Sequence, residues 1–274
     1  MKQNFHTHSV YDDGTDSIEE MVQTAVEQGF HRLGFSGHGF NRPLDDCSMT
    51  EEGTRKYLAD IQAAKEKYKG QIEIFAGIEQ DSTSRLDCSP FEYVLGSVHF
   101  VQKDGSWYPV DYSRDEFIRI LDEVFDKDMN AFLQAYFDEM DRMLDFEEID
   151  LVGHIDLIGK FNENQEFFRF EDPWYVSQMK KLIDKGVEKG LIFEMNTGAI
   201  SRGYRTSAYP EQNLLEYMAD QGAKVCINTD CHGRKNLDLG ISECLKRAKE
   251  AGFESLYTFE NGAWVRKNIE CFQG

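Results

Sequence analysis

The chain has 274 residues, 41% of them hydrophobic, enough for one large α/β core or two small ones. Fifty acidic against thirty basic residues give a formal net charge of −20, a surface that opposes nonspecific nucleic-acid binding but tolerates a small anionic substrate in a locally positive pocket. No apolar run nears the ~18 residues of a membrane span and "MKQNFHTHS" lacks a signal-peptide core, so a soluble, cytoplasmic protein without membrane or nucleic-acid partners is expected.

In chain order, a first strand is expected at residues 2–6, running into "HTHSVYDDG". Alternate strand residues share a face, so His6 and His8 project side by side, with Asp12 and Asp13 close behind. Paired imidazoles beside a carboxylate suit a borderline divalent metal, although any lone HxH is as readily two polar residues at a strand end. Ser17 with Glu20 reads as a capping box opening a helix that Gly29 closes. Further strands are expected at 32–36, 72–77 and 93–99. Ser113 with Glu116 opens another helix, and Phe132, Leu133, Tyr136, Phe137, Met140 and Leu144 form an apolar stripe suited to core packing. Strands then follow at 149–154, 191–196 and 224–230. Asp172-Pro173 and Tyr209-Pro210 mark helix starts between them, and Gly222 a helix end. The strands are short and apolar, as parallel strands covered by helices are. Seven such units without a linker favour one barrel over an open sheet, spanning residues 1–274 as a single domain. The six cysteines form no CxxC pair and read as free thiols in a reducing compartment.

Of the seven histidines, only His31 falls outside the C-terminal ends of these strands. His6 and His8 end the first, His38 follows the second, Glu79 the third, His99 ends the fourth and His154 the fifth, while Asp230 and His232 end the seventh. That edge is where a parallel barrel carries its site. His31 lies in a turn entering a strand and reads as structural; Cys231, between Asp230 and His232, should face the barrel wall.

"HTHSVYDDG", "SGHGF", "GIEQD", "GSVH", "GHIDL", "EMNTGA" and "NTDCHG", in this order, resemble the polymerase-and-histidinol-phosphatase (PHP) family, in particular its monofunctional histidinol-phosphatase branch. The resemblance runs from about residue 4 to 265. It implies a distorted, TIM-like (β/α)7 barrel with three divalent metal ions, zinc, manganese or iron. By position, it implies one metal on His6, His8, Glu79 and Asp230, with Glu79 bridging to a second on His99 and His154. A third would take Asp13, His38 and His232. Asp12 and Asp13 both offer a carboxylate there, and the family pattern favours Asp13, which directly precedes Gly14. Related phosphatases place a phosphate-binding arginine where Arg202 stands and an arginine where this chain has Lys160; Arg205 could serve for either. Asp156, two residues after His154, is a candidate to orient its imidazole.

The chemistry implied is hydrolysis of L-histidinol phosphate, in histidine biosynthesis, with Glu79, Asp230 and His232 at the reacting centre. Side-chain acid–base catalysis supplies roughly 10²–10⁴-fold, far below what phosphomonoester hydrolysis needs. Clustered divalent ions can make up the difference, so attack by a metal-bound hydroxide without a phospho-enzyme is expected. The chain has no CxxxxxR, GxSxG or GxxxxGK[ST] motif to suggest otherwise. The alternatives are a family member acting on another small phosphate ester, a nucleotide or phosphotyrosine protein. More remote are a metal-dependent amidohydrolase, whose bridging group is typically a carboxylated lysine where this chain has Glu79, and a metal-binding relic, which would have lost ligands.

Overall fold

The computed structural model describes residues 1–40, 43, 47–84 and 86–272. Its strands are β1 (Gln3–Asn4), β2 (Arg32–Phe35), β3 (Glu73–Asp81), β4 (Tyr93–Ser97), β5 (Phe100–Lys103), β6 (Ser106–Pro109), β7 (Leu151–Val152), β8 (Ile192–Asn196), β9 (Lys224–Asn228), β10 (Ser255–Glu260) and β11 (Ala263–Asn268). Seven of them pair in parallel in the order β1-β2-β3-β4-β7-β8-β9, the barrel expected from the sequence. The ring closes between its first and last strands through one backbone bridge, Thr7 to Cys231, rather than a ladder. Side chains complete that seam: Asn228 Oδ1 accepts the Phe5 N–H at 2.8 Å and Asn4 Oδ1 the Thr229 N–H at 3.2 Å.

Crossover helices coat the barrel. The first, α1 (Ile18–Glu27), opens on the Ser17–Glu20 capping box and buries Ile18, Met21, Val22 and Ala25. Next come α2 (Glu51–Lys67), α3 (Arg114–Glu123), capped by Ser113, and α4 (Met129–Met143), which buries the stripe from Phe132 to Met143. Asp172 caps α5 (Pro173–Glu188), whose first residue is a proline with no N–H to leave unsatisfied. The short α6 (Gly198–Ser201) follows β8, then α7 (Gln212–Asp220) and α8 (Ile241–Glu250). None of the described helices is long and apolar enough to cross a membrane.

Two antiparallel hairpins, β5–β6 and β10–β11, were not among the expected elements. Their turns, Asp104-Gly105 and Asn261-Gly262, have positive φ at both residues, the geometry such dipeptides favour. The second hairpin plugs one end of the barrel: Phe259 and Trp264 pack against Phe5, Phe75 and Tyr93, edge-on except for the tilted Phe259–Tyr93 pair, with ring centroids 5.1–5.9 Å apart. Tyr93 reaches across the interior and donates to the Phe5 carbonyl at 2.6 Å and the Phe35 carbonyl at 3.1 Å. Only glycine fits at 77, since a Cβ there would lie 2.2 Å from the Tyr93 ring.

Candidate active site

Two-residue periodicity carries the inner face of each strand from this plug to the opposite rim. Along β3, Phe75 belongs to the aromatic layer, Gly77 makes room for Tyr93, and Glu79 and Asp81 follow on the same face near the top. Tyr93, Leu95, Ser97 and His99 repeat that progression, as do Cys226, Asn228, Asp230 and His232. The interior thus turns from aromatic to ionisable within two or three residues.

Glu79, 1% exposed, is the hub. Its Oε2 lies 2.8 Å from His38 Nδ1, 3.3 Å from His6 Nε2 and 3.7 Å from His8 Nε2. Its Oε1 lies 3.2 Å from His154 Nε2 and 3.5 Å from His99 Nε2, and accepts from Ser97 at 2.6 Å. The two oxygens therefore serve two sets of imidazoles. Asp230 Oδ1 stands 3.1 Å from His8 Nε2, and Asp13 Oδ1 stands 3.1 Å from His232 Nε2. Among the described residues, three groups bring potential donor atoms within 4.8 Å of one another: His8 with Asp13, His38 and His232; His6 with His8 and Glu79; His38 with Glu79 and His99. His8, His38 and Glu79 each sit in two of these groups, and the other two expected ligands, His154 and Asp230, lie beside them, against Glu79 and His8.

The donor chemistry fits divalent metal. Buried atoms His6 Nε2, His8 Nε2, Asp13 Oδ1 and Glu79 Oε2 make no hydrogen bond, a state that buried polar atoms rarely keep without a partner. Burial pushes the His8 imidazole down, but Asp12 and Asp230 overcome this and raise it to about 10. Burial likewise opposes charge on Glu79, yet His38, His6 and His99 hold its carboxyl well below the usual carboxylate range. A cation would replace protons as the partner of this cluster.

Behind the donors stands a layer of carboxylates, two of which, Glu194 and Asp81, sequence reasoning missed. Glu194 Oε1 lies 2.8 Å from His6 Nδ1, and Glu194 Oε2 accepts the His154 N–H at 3.1 Å. Asp81 Oδ2 is 2.8 Å from His99 Nδ1, and Asp12 Oδ2 is 2.5 Å from His8 Nδ1. Such partners fix which nitrogen of each ring faces the centre. Asp12, the carboxylate offered beside Asp13, thus orients a donor from behind, and it also accepts the backbone N–H groups of Ser9 and His38. Asp156 does not orient His154. The 3-10 turn Leu157–Gly159 follows it, and its Oδ2 accepts the Glu211 N–H at 2.9 Å instead.

A cavity of about 230 Å³ opens onto the donors, lined by Asp13, His38, His99, His154, Asp230 and His232 on one side. Among the described residues its cations are Arg202 and Lys160. Arg202 donates to Asp230 Oδ2 at 2.9 Å and lies 2.9 Å from His232 Nδ1, leaving its side chain 27% exposed. Lys160 Nζ donates to the Asp111 carbonyl at 2.7 Å and to its carboxylate at 3.1 Å. Arg205 is a correction to the expected set. It turns away from this cavity and pairs with Glu211 and Glu163, stacked on Phe170 and Tyr209. The two carboxylates compensate its charge and the two rings cover its planar face, which holds it away from the cavity. Cys231 is fully buried, and His31 lies exposed at the plugged end, its Nδ1 accepting the Lys2 N–H at 3.2 Å.

The PHP domain family matches residues 4–198. A Schizosaccharomyces pombe protein named "Probable histidinol-phosphatase" is 28% identical over 266 residues, spanning 89% of this chain and 84% of its own length. The histidinol-phosphatase of Lactococcus lactis subsp. lactis is 26% identical over 287 residues, spanning 97% of each. A crystal structure of histidinol phosphate phosphatase from that organism, complexed with Zn, L-histidinol and phosphate, shares the fold. It superposes with a TM-score of 0.71 at 22% identity, covering 96% of this chain and 98% of that one.

Proposed function

The chain belongs to the PHP family, and from that premise we propose that it is a metal-dependent phosphomonoesterase that converts L-histidinol phosphate and water to L-histidinol and phosphate. The observation that carries the reading is the two-sided Glu79 carboxylate, ringed by five imidazoles at the foot of a cavity that also holds an arginine and a lysine. The names of the curated relatives, matched over nearly their full lengths, point the same way.

In this reading one PHP domain fills residues 1–274, and three divalent ions, with zinc the first to test, occupy the donors. His6, His8, Glu79 and Asp230 would hold one, Glu79 with His99 and His154 a second, and Asp13 with His38 and His232 the third. Bound there, they would neutralise phosphate oxygens, acidify water and stabilise the attacking and leaving oxygens. The chain's own groups do the rest. Asp12, Asp81 and Glu194 keep the ligating nitrogens turned inward. Arg202, braced against Asp230, offers a guanidinium edge to the phosphate, and Lys160 supplies a second positive charge across the cavity.

The test is a set of initial rates on phosphomonoesters after loading the purified enzyme with each metal. Histidinol phosphate should exceed nucleotides, sugar phosphates, p-nitrophenyl phosphate and a phosphotyrosine peptide in kcat/KM by well over tenfold. Equal turnover of any of these would leave a PHP phosphoesterase and remove the histidinol assignment.

A further inference from the structure

The wall of the cavity that faces the donors differs in kind from the donor side. It is built from Phe100, Pro109, Asp111, Tyr112, Leu157 and Lys160. Most of it comes from the hairpin β5–β6 and the chain that leaves it towards α3. Among the described residues three carboxylates line the cavity; Asp13 and Asp230 belong to the donor cluster, and Asp111 stands apart on this wall. Next to it Tyr112 is 59% exposed, an unusual state for an aromatic ring. Only four large hydrophobic side chains are exposed among the described residues; one of them, Tyr112, lines this cavity, and another, Tyr204, lies beside Lys160. Lys160 Nζ lies 5.2 Å from the Tyr204 ring centroid, and Lys160 also holds Asp111 in place through the two hydrogen bonds described above.

We infer that Asp111 and Tyr112 determine specificity, taking the end of the substrate remote from the phosphate and selecting a cationic group attached to a flat ring. The inference rests on the phosphomonoesterase reading above and deepens it. With the phosphate directed to the donors and Arg202, the remainder of a small ester points at the opposite wall. A carboxylate there attracts an ammonium or imidazolium, and repels a second anion such as a nucleotide's further phosphates. An exposed phenol ring beside it supplies a face for stacking and for cation–π attraction. The charges match a zwitterion: the wall that carries Asp111 meets the positive end, and the donor side, once loaded with cations, meets the negative end.

Three substrates separate the contributions: histidinol phosphate, with a ring and a cation; phosphoethanolamine, with a cation alone; and β-glycerophosphate, with neither. Asp111→Asn should lower kcat/KM at least tenfold for the first two and leave the third within about threefold. Tyr112→Ala should lower the first alone. Calorimetry should show weaker binding of histidinol to both variants. An equal loss on all three substrates would mean that Asp111 acts on the phosphate through Lys160, and no loss on any would mean that it faces no substrate; either result overturns the inference. A wild type inactive on histidinol phosphate, whose Asp111→Asn variant still loses phosphoethanolamine selectively, would end the proposed function and keep the specificity assignment.

Discussion

The two ends of the barrel interior are built by the same strands and hold opposite chemistry. At the plugged end, Phe5, Phe75, Tyr93, Leu95, Leu151, Ile192, Cys226 and Phe259 pack into an apolar cluster. Each buried aromatic ring there contributes stability directly, by area removed from water. A few ångströms along the same strands, carboxylates and imidazoles are buried just as deeply, and burial works against their charged forms. The aromatic end holds the ring of strands together, and the donor end is tolerated because of it. Stability and chemistry are thus separated along the barrel axis, so substitutions at the two ends should fail differently.

The largest effect on turnover is expected at the hub. Glu79→Gln keeps the volume of a side chain that is 1% exposed but removes the charge that faces two sets of imidazoles. kcat/KM should fall by at least ~10²-fold, the scale of one lost electrostatic contact in an active site, with circular dichroism unchanged. Near-normal turnover would break the comparison at its centre. One layer further out, Glu194→Gln weakens the orientation of His6 and leaves every donor present. Metal affinity, measured by chelator competition, should drop about 10- to 100-fold; unchanged affinity would show that the outer carboxylates only fill space.

The third test is the pH dependence of metal uptake. Asp12 and Asp230 raise His8 to about 10, so at neutral pH its imidazole is protonated without metal and must lose that proton to bind one. Loading should release protons at pH 7, visible as a buffer-dependent calorimetric heat, and apparent affinity should rise from pH 6 to 8. No proton release would mean that the donors are already neutral. The smallest effect on turnover belongs to the plug. Phe259→Ala removes a ring that is 3% exposed and should cost about 3–5 kcal/mol of stability, read from denaturant unfolding. kcat/KM per folded molecule should stay within twofold, and a parallel loss of activity would show that the two ends are coupled.

How much of this was legible depended on how local each signal was. His6 and His8 declare themselves by spacing, and the other side chains of the cluster by their place at the ends of apolar runs, so the seven strands and the convergence of these residues at one rim could be read in order. The supporting carboxylates could not, because their partners are remote: Glu194 and His6 are 188 residues apart. A weaker signal existed, since Asp81 follows Glu79 by two on one strand face and so had to point into the same interior. Asp156 misled because the same argument fails once β7 ends at Val152 and a 3-10 turn re-aims the chain. Arg205 misled because loop arginines have many possible partners and sequence does not say which carboxylate arrives. The hairpins were more legible than the reading allowed, each having a glycine after an Asp or Asn between short β-rich segments.

The barrel's seam has a consequence for the order in which the site comes into being. His6 and His8 stand on one side of the Thr7–Cys231 bridge, Asp230 and His232 on the other. During synthesis the first pair leaves the ribosome more than two hundred residues before the second. At the ~5–20 residues per second of translation, those histidines wait roughly ten seconds or longer for their partners. A nascent fragment that stops short of residue 230 therefore lacks part of the cluster, and any cation that needs both sides of the seam must wait for Asp230 and His232 to emerge.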